Sequence, residues 1–356
     1  MEEKKLFSGA INVERLAAAT VLVALGVVCL VYFSSFLQPL ILAIMLWYLI
    51  YELRVVGGRI TIRGRKLPAW LITVLAFCIV ILVIMGVVEI ITYNLQLIRA
   101  RTPDYLANLR TMLNSVQEIP GFELVQQRAI QRIESFNFNP ILTGLLNGIS
   151  GMAGNTFLIM IYVVFLLAEQ SMFAKKMKQL LSDQSSIMAF QKFLSQVNSA
   201  VRTYVYVKTL MSFLTGILSY FILLLFGVDF PVLWAFVIFL LNYVPYVGSL
   251  VATFLPAAFA VFQFQSFSIF IWVFLVIQVV QVLVGNILEP KVMGKTLNLS
   301  PLGVLIALTF WGMIWGVMGM ILSVPITSIL VIIALRFPAT RFVAVLLSET
   351  GELPDE

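Results

Sequence analysis

The chain contains no histidine. That absence removes Ser-His-Asp catalysis, the HExxH zinc site and histidine proton relays together. There are two cysteines, Cys29 and Cys78, both inside apolar stretches. They read as small core residues and imply no disulfide. Charge is scarce as well: 11% of the 356 residues are Asp, Glu, Lys or Arg, against about 25% in soluble domains. No nucleophile–base pair and no metal-ligand spacing is visible, so an enzyme is the least supported class and no cofactor is expected. No basic cluster sits on a soluble domain, which argues against nucleic acid as a partner. The net charge of +6 reads instead as the basic bias of cytoplasmic loops.

What is present is apolar. Hydrophobic residues make up 61% of the chain and the mean hydropathy is +1.02. The expected fold is an all-α polytopic membrane protein with the bilayer as its first partner, built from about eight hydrophobic segments and an amphipathic helical insert. The opening residues, MEEKKLFSGAINVER, lead into an apolar stretch too long for a cleaved signal, so the first span is retained.

In order, residues 13–36 read as the first span. Gln38-Pro39 turns the chain into a shorter apolar segment at 40–51. A loop carrying Arg54, Arg59, Arg63, Arg65 and Lys66 comes next and is cytoplasmic by its charge. Residues 69–92 form the third span, with Glu89 near its exit, at the interface. The insert, 94–148, places Tyr105, Leu106, Leu109, Met112, Leu113 and Val116 at helical spacing. Pro120-Gly121 breaks it before a second amphipathic stretch with Leu124, Val125, Ala129, Ile130 and Ile133. A span at 149–168 returns inside, where Lys175, Lys176 and Lys178 lie, and 170–202 is a polar helical linker. Residues 203–226 cross again, and the Lys208 side chain is expected to snorkel to the interface. The domains are thus 1–93 (three spans), 94–148 (insert), 149–202 (span four and linker), 203–335 (transport core) and 336–356 (polar cytoplasmic tail).

Two apolar runs, 231–262 and 301–335, contain no charge and are too long for one crossing. The first would be about 48 Å as a straight helix, against a hydrocarbon core of about 30 Å. Pro245, Gly248 and Pro256 interrupt it, so the helix should break near residues 243–248. Broken backbone at membrane depth needs protein or a water-filled cavity beside it. If each run crosses once, Lys291 and Lys295 face outside. If each is a re-entrant hairpin, Lys291, Lys295, Arg336 and Arg341 all lie inside, which suits the positive-inside bias better. The runs also match each other: Pro231 is followed by Gly248 and Pro256, and Pro301 by Gly319 and Pro325. A plain span precedes each. Repeated units of span plus broken hairpin, in opposite orientation, are a hallmark of secondary transporters.

Candidate pathway residues are the polar ones within these segments. Asn242, with the carbonyls freed by Pro245, lines the first break together with Gly248 and Pro256. Gln278, Gln281 and Asn286 form a polar stripe, whose amides suit a neutral polyol or serve as interhelical glue. Gly285, Asn286, Glu289 and Pro290 form the most polar cluster of the C-terminal region, and Glu289 is the only acid between Asp229 and Glu349. It is either a coupling-ion ligand or a helix-end carboxylate paired with Lys291 or Lys295. Trp311, Gly312, Gly316 and Gly319, in WGMIWGVMG, offer a glycine face to a neighbouring helix.

The motifs LNYVPYVGS, GNILEPKVMGKTLNLSPL and FWGMIWGVMGMILSVPIT, with RTYVYVKTLMSFLTG before them, resemble the autoinducer-2 exporter family. The likeness covers most of the chain. It implies an eight-segment transporter of the bacterial inner membrane with both termini cytoplasmic, moving in an elevator-like way. It also implies a homo-oligomer, with a pentamer as one candidate. The family's Asn-Pro-Gly motif maps onto Asn242, Pro245 and Gly248, and its GN-EP-G motif onto Gly285, Asn286, Glu289, Pro290 and Gly294. The function expected is export of a small polar metabolite, autoinducer-2 foremost, with a proton or sodium ion as the coupling partner. A sodium/proton antiporter and a non-transporting scaffold that recruits a partner through 94–148 are the alternatives. Cysteine-accessibility labelling separates re-entry from crossing: re-entrant hairpins place a cysteine at Gln265 outside and one at Asn298 inside, and full crossings reverse both.

Overall fold

The computed structural model describes residues 13–59, 61–62, 65–115, 139–180, 183–294 and 299–349. The expected break at Pro120-Gly121, the stretch around 124–133, Val116 and Lys295 lie outside them. The architecture is all-helical apart from a two-residue antiparallel ladder in the basic loop, where Thr61–Ile62 (β1) pairs with Arg65–Lys66 (β2). In order come α1 (Val13–Tyr32), α2 (Ser34–Gly57), α3 (Ala69–Ser115), α4 (Asn139–Leu180), α5 (Gln184–Leu225), α6 (Pro231–Leu241), α7 (Val247–Phe264) and α8 (Phe267–Gln281). A π-helical turn (Val282–Leu288), α9 (Glu289–Met293), α10 (Pro301–Ala334) and α11 (Arg341–Leu347) complete the chain. Among the described residues, six helices are long and apolar enough to cross a membrane, and three shorter apolar ones accompany them. The outer surface is apolar, with Leu22 69%, Leu82 66% and Phe165 68% exposed. The protein is an all-α polytopic membrane protein.

Helix ends depart from several expectations. The turn after the first span falls at Phe33, and Pro39 lies inside α2. A proline so close to a helix start forfeits at most one backbone bond. Helix α3 runs unbroken through Pro103 to Ser115, so residues 94–115 continue the third span. At 47 residues it is about 70 Å long, more than twice the hydrocarbon thickness. Helices α4 and α5, of 42 residues each, likewise outrun the bilayer, and the stretch 170–202 is shared between them. Helix α5 opens on Asp183, whose carboxylate accepts from the Ser186 amide at 3.1 Å. Hydrogen bonds from Ser185 and Ser186 hold that carboxyl down at about 2. Cys29 and Cys78 are exposed, against the expectation of core positions. The outward face of a spanning helix meets lipid as apolar as the core, so burial does not sort small apolar side chains there.

Both overlong runs fold back on themselves. The first breaks between α6 and α7, at residues 242–246, as expected. The second is one run of helix only by local hydrogen bonding: Gly316 has φ 61°, ψ −141°, far from helical values. Its arms then lie side by side, because Trp311 Nε1 donates to Thr327 Oγ1 at 3.0 Å across 16 residues. A straight helix would separate that pair by about 24 Å. The glycines matched in the sequence do the same work in each hairpin. A Cβ on Gly248 would stand 1.8 Å from the Leu241 carbonyl oxygen and 3.0 Å from the Val244 Cβ; on Gly319 the values are 1.8 Å to the Trp311 oxygen and 3.0 Å to the Trp315 Cβ. Pro256 and Pro325 are both buried in the return arms. The glycine face of WGMIWGVMG therefore receives its own return arm, not another helix, because the chain reverses at Gly316.

Helix α5 is the axis on which both hairpins pack. Val201, Tyr204 and Val205 cluster with Trp311, Trp315 and Leu322 of the second hairpin and with Met45 and Tyr48 of α2. Leu223 clusters with Ile238, Ala252, Ala257 and Ala260 of the first hairpin and with Val273 and Ile277 of α8. A third core joins α2, α3 and α4 through Ala43, Ile50, Ala76, Val80, Ile159 and Val163. Replacing Gly248 or Gly319 with alanine drives a methyl group into backbone. Each variant should lose about 1–3 kcal/mol of stability or more, read as a lowered unfolding temperature in detergent. Gly26→Ala, with nothing within 4 Å, should match the wild type or exceed it slightly.

Candidate functional site

Five polar residues line one face of α5: Tyr204, Lys208, Ser212, Thr215 and Ser219, spaced by three or four residues and all buried. Thr215 bonds back to the Met211 carbonyl at 2.9 Å. Tyr204 Oη, Ser212 Oγ and Ser219 Oγ have no hydrogen-bond partner. Helix α8 packs on the adjoining face through Val207, Met211, Val280 and Val284, and it brings Gln278 Oε1 and Gln281 Nε2, also without partners. Seven buried side-chain polar atoms among the described residues lack a partner, and five of them fall in this one region.

Lys208 is the only charge in the stripe. Its ammonium donates to both oxygens of Glu289, at 2.7 and 3.0 Å, with the two side chains 10% and 17% exposed. The carboxylate thus pairs with Lys208 and not with Lys291, and Lys208 does not reach for the interface. The cause lies in the backbone. Helix α8 passes into the π-helical turn, which carries Gly285 and Asn286, before α9 opens at Glu289 and Pro290. A π-turn admits an extra residue per turn and rotates the residues after it, and such turns gather at functional sites. It presents Glu289 to α5. Pro290 sits in the first turn of α9, where its missing N–H costs nothing, and Gly294, φ 61°, ends that helix. Asn286 and Pro290 are exposed.

The tip of the first hairpin reaches the same level. Tyr243 Oη lies 2.7 Å from Thr209 Oγ1; the threonine hydrogen goes to the Val205 carbonyl at 2.6 Å, so the tyrosine is the donor. Asn242 caps α6 and is 9% exposed. Tyr246 has φ 58°, ψ −61°, and the Val247 amide bonds the Pro245 carbonyl across it at 2.6 Å. This is the strained, positive-φ form of the γ-turn. The base of the hairpin is strained too, with Phe230 and Gln265 in the left-handed region. It is clamped to the far end of α3: Asp229 Oδ2 accepts from Arg101 at 2.8 Å and from Tyr105 at 2.7 Å. Gln265 Nε2 donates to Asn108 Oδ1 at 2.8 Å.

Of the residues singled out in the sequence, the structure brings Glu289 onto α5 through Lys208, sets Asn242 beside Tyr243, whose hydroxyl meets Thr209, and leaves Gln278 and Gln281 on α8, which packs against α5. It does not gather the rest. Pro256 and Pro325 pack within return arms, and Trp311 and Gly319 belong to the second hairpin, whose apolar cluster touches the α5 stripe only at Tyr204. Glu89 is exposed on α3. Sequence reasoning missed Tyr204, Ser212, Ser219 and the Tyr243–Thr209 contact, and it misread Lys208. The helical spacing of the α5 polar residues was the available signal.

Broken helices folded back beside buried, unpaired polar groups and one buried ion pair define a class: a polytopic helical transport protein. The chain belongs to the AI-2E transporter family, whose description, AI-2E family transporter, matches residues 20–338. The AI-2 transport protein TqsA of Escherichia coli is 30% identical over 277 residues, 76% of this chain and 79% of that protein. YhhT of the same species, provisionally named a transport protein, is 31% identical over 271 residues, 75% and 76% of the two chains. A Borreliella burgdorferi protein with an equally provisional transport name is 30% identical over 318 residues, 86% of this chain and 84% of its own.

Removing one member of a buried ion pair strands the other charge, which costs about 3 kcal/mol or more. Lys208→Met and Glu289→Gln should each lower the unfolding temperature in detergent. The double variant Lys208→Met/Glu289→Met should recover most of the loss. Equal destabilisation of single and double variants would remove the pairing as the cause.

Proposed function

We propose that this protein is a secondary transporter of the bacterial inner membrane that exports a small polar metabolite, autoinducer-2 foremost. The observation that carries the reading is the concentration of unpartnered polar atoms on α5 and α8 beside the Lys208–Glu289 pair. Each buried, unsatisfied group costs about 1–3 kcal/mol. Five together would cost about as much as the whole stability of a domain, about 5–15 kcal/mol. A polar solute rich in hydroxyls would satisfy hydroxyl and amide groups of this kind. Support for the substrate comes from the name of TqsA, an AI-2 transport protein at 30% identity.

In this reading both hairpins are re-entrant, the first from outside and the second from the cytoplasm, and both termini are cytoplasmic. Attachment of the hairpin bases near opposite ends of α5 supports that arrangement: Asp229 and Gln265 lie beyond its last turns, whereas Arg336 bonds Gln196 of its early turns at 3.1 Å. The separate apolar core of α2, α3 and α4 supports an elevator-like movement of the hairpin-bearing core against that bundle. A homo-oligomer, a pentamer by the family resemblance, would hold the bundles still, and the protein has no catalytic role. A second reading, a sodium/proton antiporter, rests on Glu289 as the one buried carboxylate on the pathway, and it makes that residue the coupling site.

Proteoliposomes loaded with autoinducer-2 should release it when they contain the wild-type protein, and Glu289→Gln should slow release at least tenfold. Cells lacking the protein should retain more of the signal. No release, together with sodium-driven proton flux that Glu289→Gln abolishes, would transfer the function to the antiporter.

A further inference from the structure

We propose that the groove between the cytoplasmic ends of the second hairpin's arms and α11 binds one anionic phospholipid, its acyl chain in the groove and its phosphate on Arg341 and Arg336. The cavity is about 390 Å³, within the range of small-ligand sites, about 300–1,000 Å³. Its floor is Ala307, Trp311, Thr327 and Val331, all buried. Only two side chains of the lining are hydrogen-bonding hydroxyls, and both are occupied. Thr327 accepts from Trp311 at 3.0 Å, and Thr340 donates to the Ala334 and Phe337 carbonyls at 3.0 and 3.3 Å. The groove therefore offers a polar solute nothing and an alkyl chain a full apolar wall. Its flanks, Phe310 and Leu330, are exposed, so it opens sideways, as entry from lipid requires.

Two arginines flank the lining residues Phe337 and Thr340 in the chain and supply the headgroup chemistry. Arg341 opens α11, and its side chain has no partner among the described residues. Arg336 stacks over Phe193 at 5.7 Å and bonds Gln196, leaving guanidinium donors for a phosphate. The rest of α11, Phe342 to Leu347, is apolar on every side, with Phe342 63% and Leu346 75% exposed. An exposed apolar surface of that kind suits contact with lipid. A helix from a second copy does not fit: it is about 10 Å across with its side chains, and a single turn would fill the groove. Lipid binding here is independent of the transport reading.

The test is native mass spectrometry of the full-length protein in neutral detergent, titrated with phosphatidylglycerol and with phosphatidylcholine of the same chains. Wild type should prefer the anionic lipid. A juxtamembrane arginine contributes about fivefold, so Arg341→Gln and Arg336→Gln should each weaken phosphatidylglycerol about fivefold and phosphatidylcholine, whose phosphate is balanced by its own choline, by less. Arg341→Lys should keep most of the preference. Val343→Phe, which narrows the mouth without touching the floor, should weaken both lipids. Equal binding of the two lipids by wild type overturns the proposal, as does full anionic preference in Arg336→Gln/Arg341→Gln. Competition by inorganic phosphate would mean a free-anion site. A change of oligomer size in Val343→Phe with lipid binding intact would mean a second copy occupies the groove.

Discussion

Backbone amides and carbonyls have no water to turn to inside hydrocarbon, so a spanning helix can break only where something else meets the freed groups. Both hairpins answer that constraint with their own return arms and a glycine. At the first tip, the amides of Tyr243, Val244 and Gly248 find carbonyls within the turn, at 2.9 to 3.1 Å. The return arm then lies so close to the Leu241 carbonyl that no side chain fits at residue 248. The second hairpin repeats the solution with Gly319 under Trp311. Two halves of the chain with no extended identity thus share one packing contact, because the same backbone problem allows few answers. Helix α5 supplies the remaining surface, and its length lets it serve one hairpin near each end.

Charge obeys the same economy. A lone ammonium at the middle of α5 would be costly, and a lone carboxylate equally so; together they are tolerable. The pairing depends on a backbone irregularity, the π-turn through Gly285 and Asn286, which directs Glu289 inward while Asn286 and Pro290 stay exposed. Change the turn and the pair opens. The ion pair therefore couples the conformation of the α8–α9 junction to the polar stripe of α5.

Much of this was legible in the residues, for reasons of differing strength. Breaks were legible because proline and glycine act through their own backbone: Pro245 with Gly248 located the first tip, and the matched Gly319 located the return arm of the second. Helix lengths were not, since beyond the bilayer no apolar signal marks the continuation of α3 through Pro103. Cys29 and Cys78 were misplaced because lipid and protein interior look alike to a thiol. The partner of Glu289 was hidden by distance along the chain, 81 residues to Lys208. Nearby Lys291 was the natural guess, and the π-turn turns the carboxylate to Lys208 instead. The α5 stripe was present in the spacing of Tyr204, Lys208, Ser212, Thr215 and Ser219, yet serine and threonine in a spanning helix usually bond back to their own carbonyls. Thr215 does so; Ser212 and Ser219 stand apart only once coordinates are in hand.

Strain is distributed unevenly between the two hairpins. The three non-glycine residues with positive φ among the described residues are Phe230, Tyr246 and Gln265, and all belong to the first hairpin, two at its base and one at its tip. Each such conformation costs about 1–3 kcal/mol and persists only where its surroundings overdetermine it. At the base, the surroundings are the Arg101–Tyr105–Asp229 and Asn108–Gln265 contacts with α3, an element whose core lies with α2 and α4. At the tip, they are Thr209 on α5 and the hairpin's own close packing of Gly248 on Leu241 and Val244. The first hairpin is therefore held at one end by the peripheral bundle and at the other by the central axis. The strained residues thus sit where the first hairpin meets each of these two neighbours. The second hairpin carries no positive-φ residue except glycine, at Gly316, and packs along α5 and α2 with its tip anchored by Trp315 Nε1 to the Leu30 carbonyl at 2.9 Å. Of the two similar hairpins, the first concentrates the strained non-glycine residues and the second meets its one positive φ with glycine.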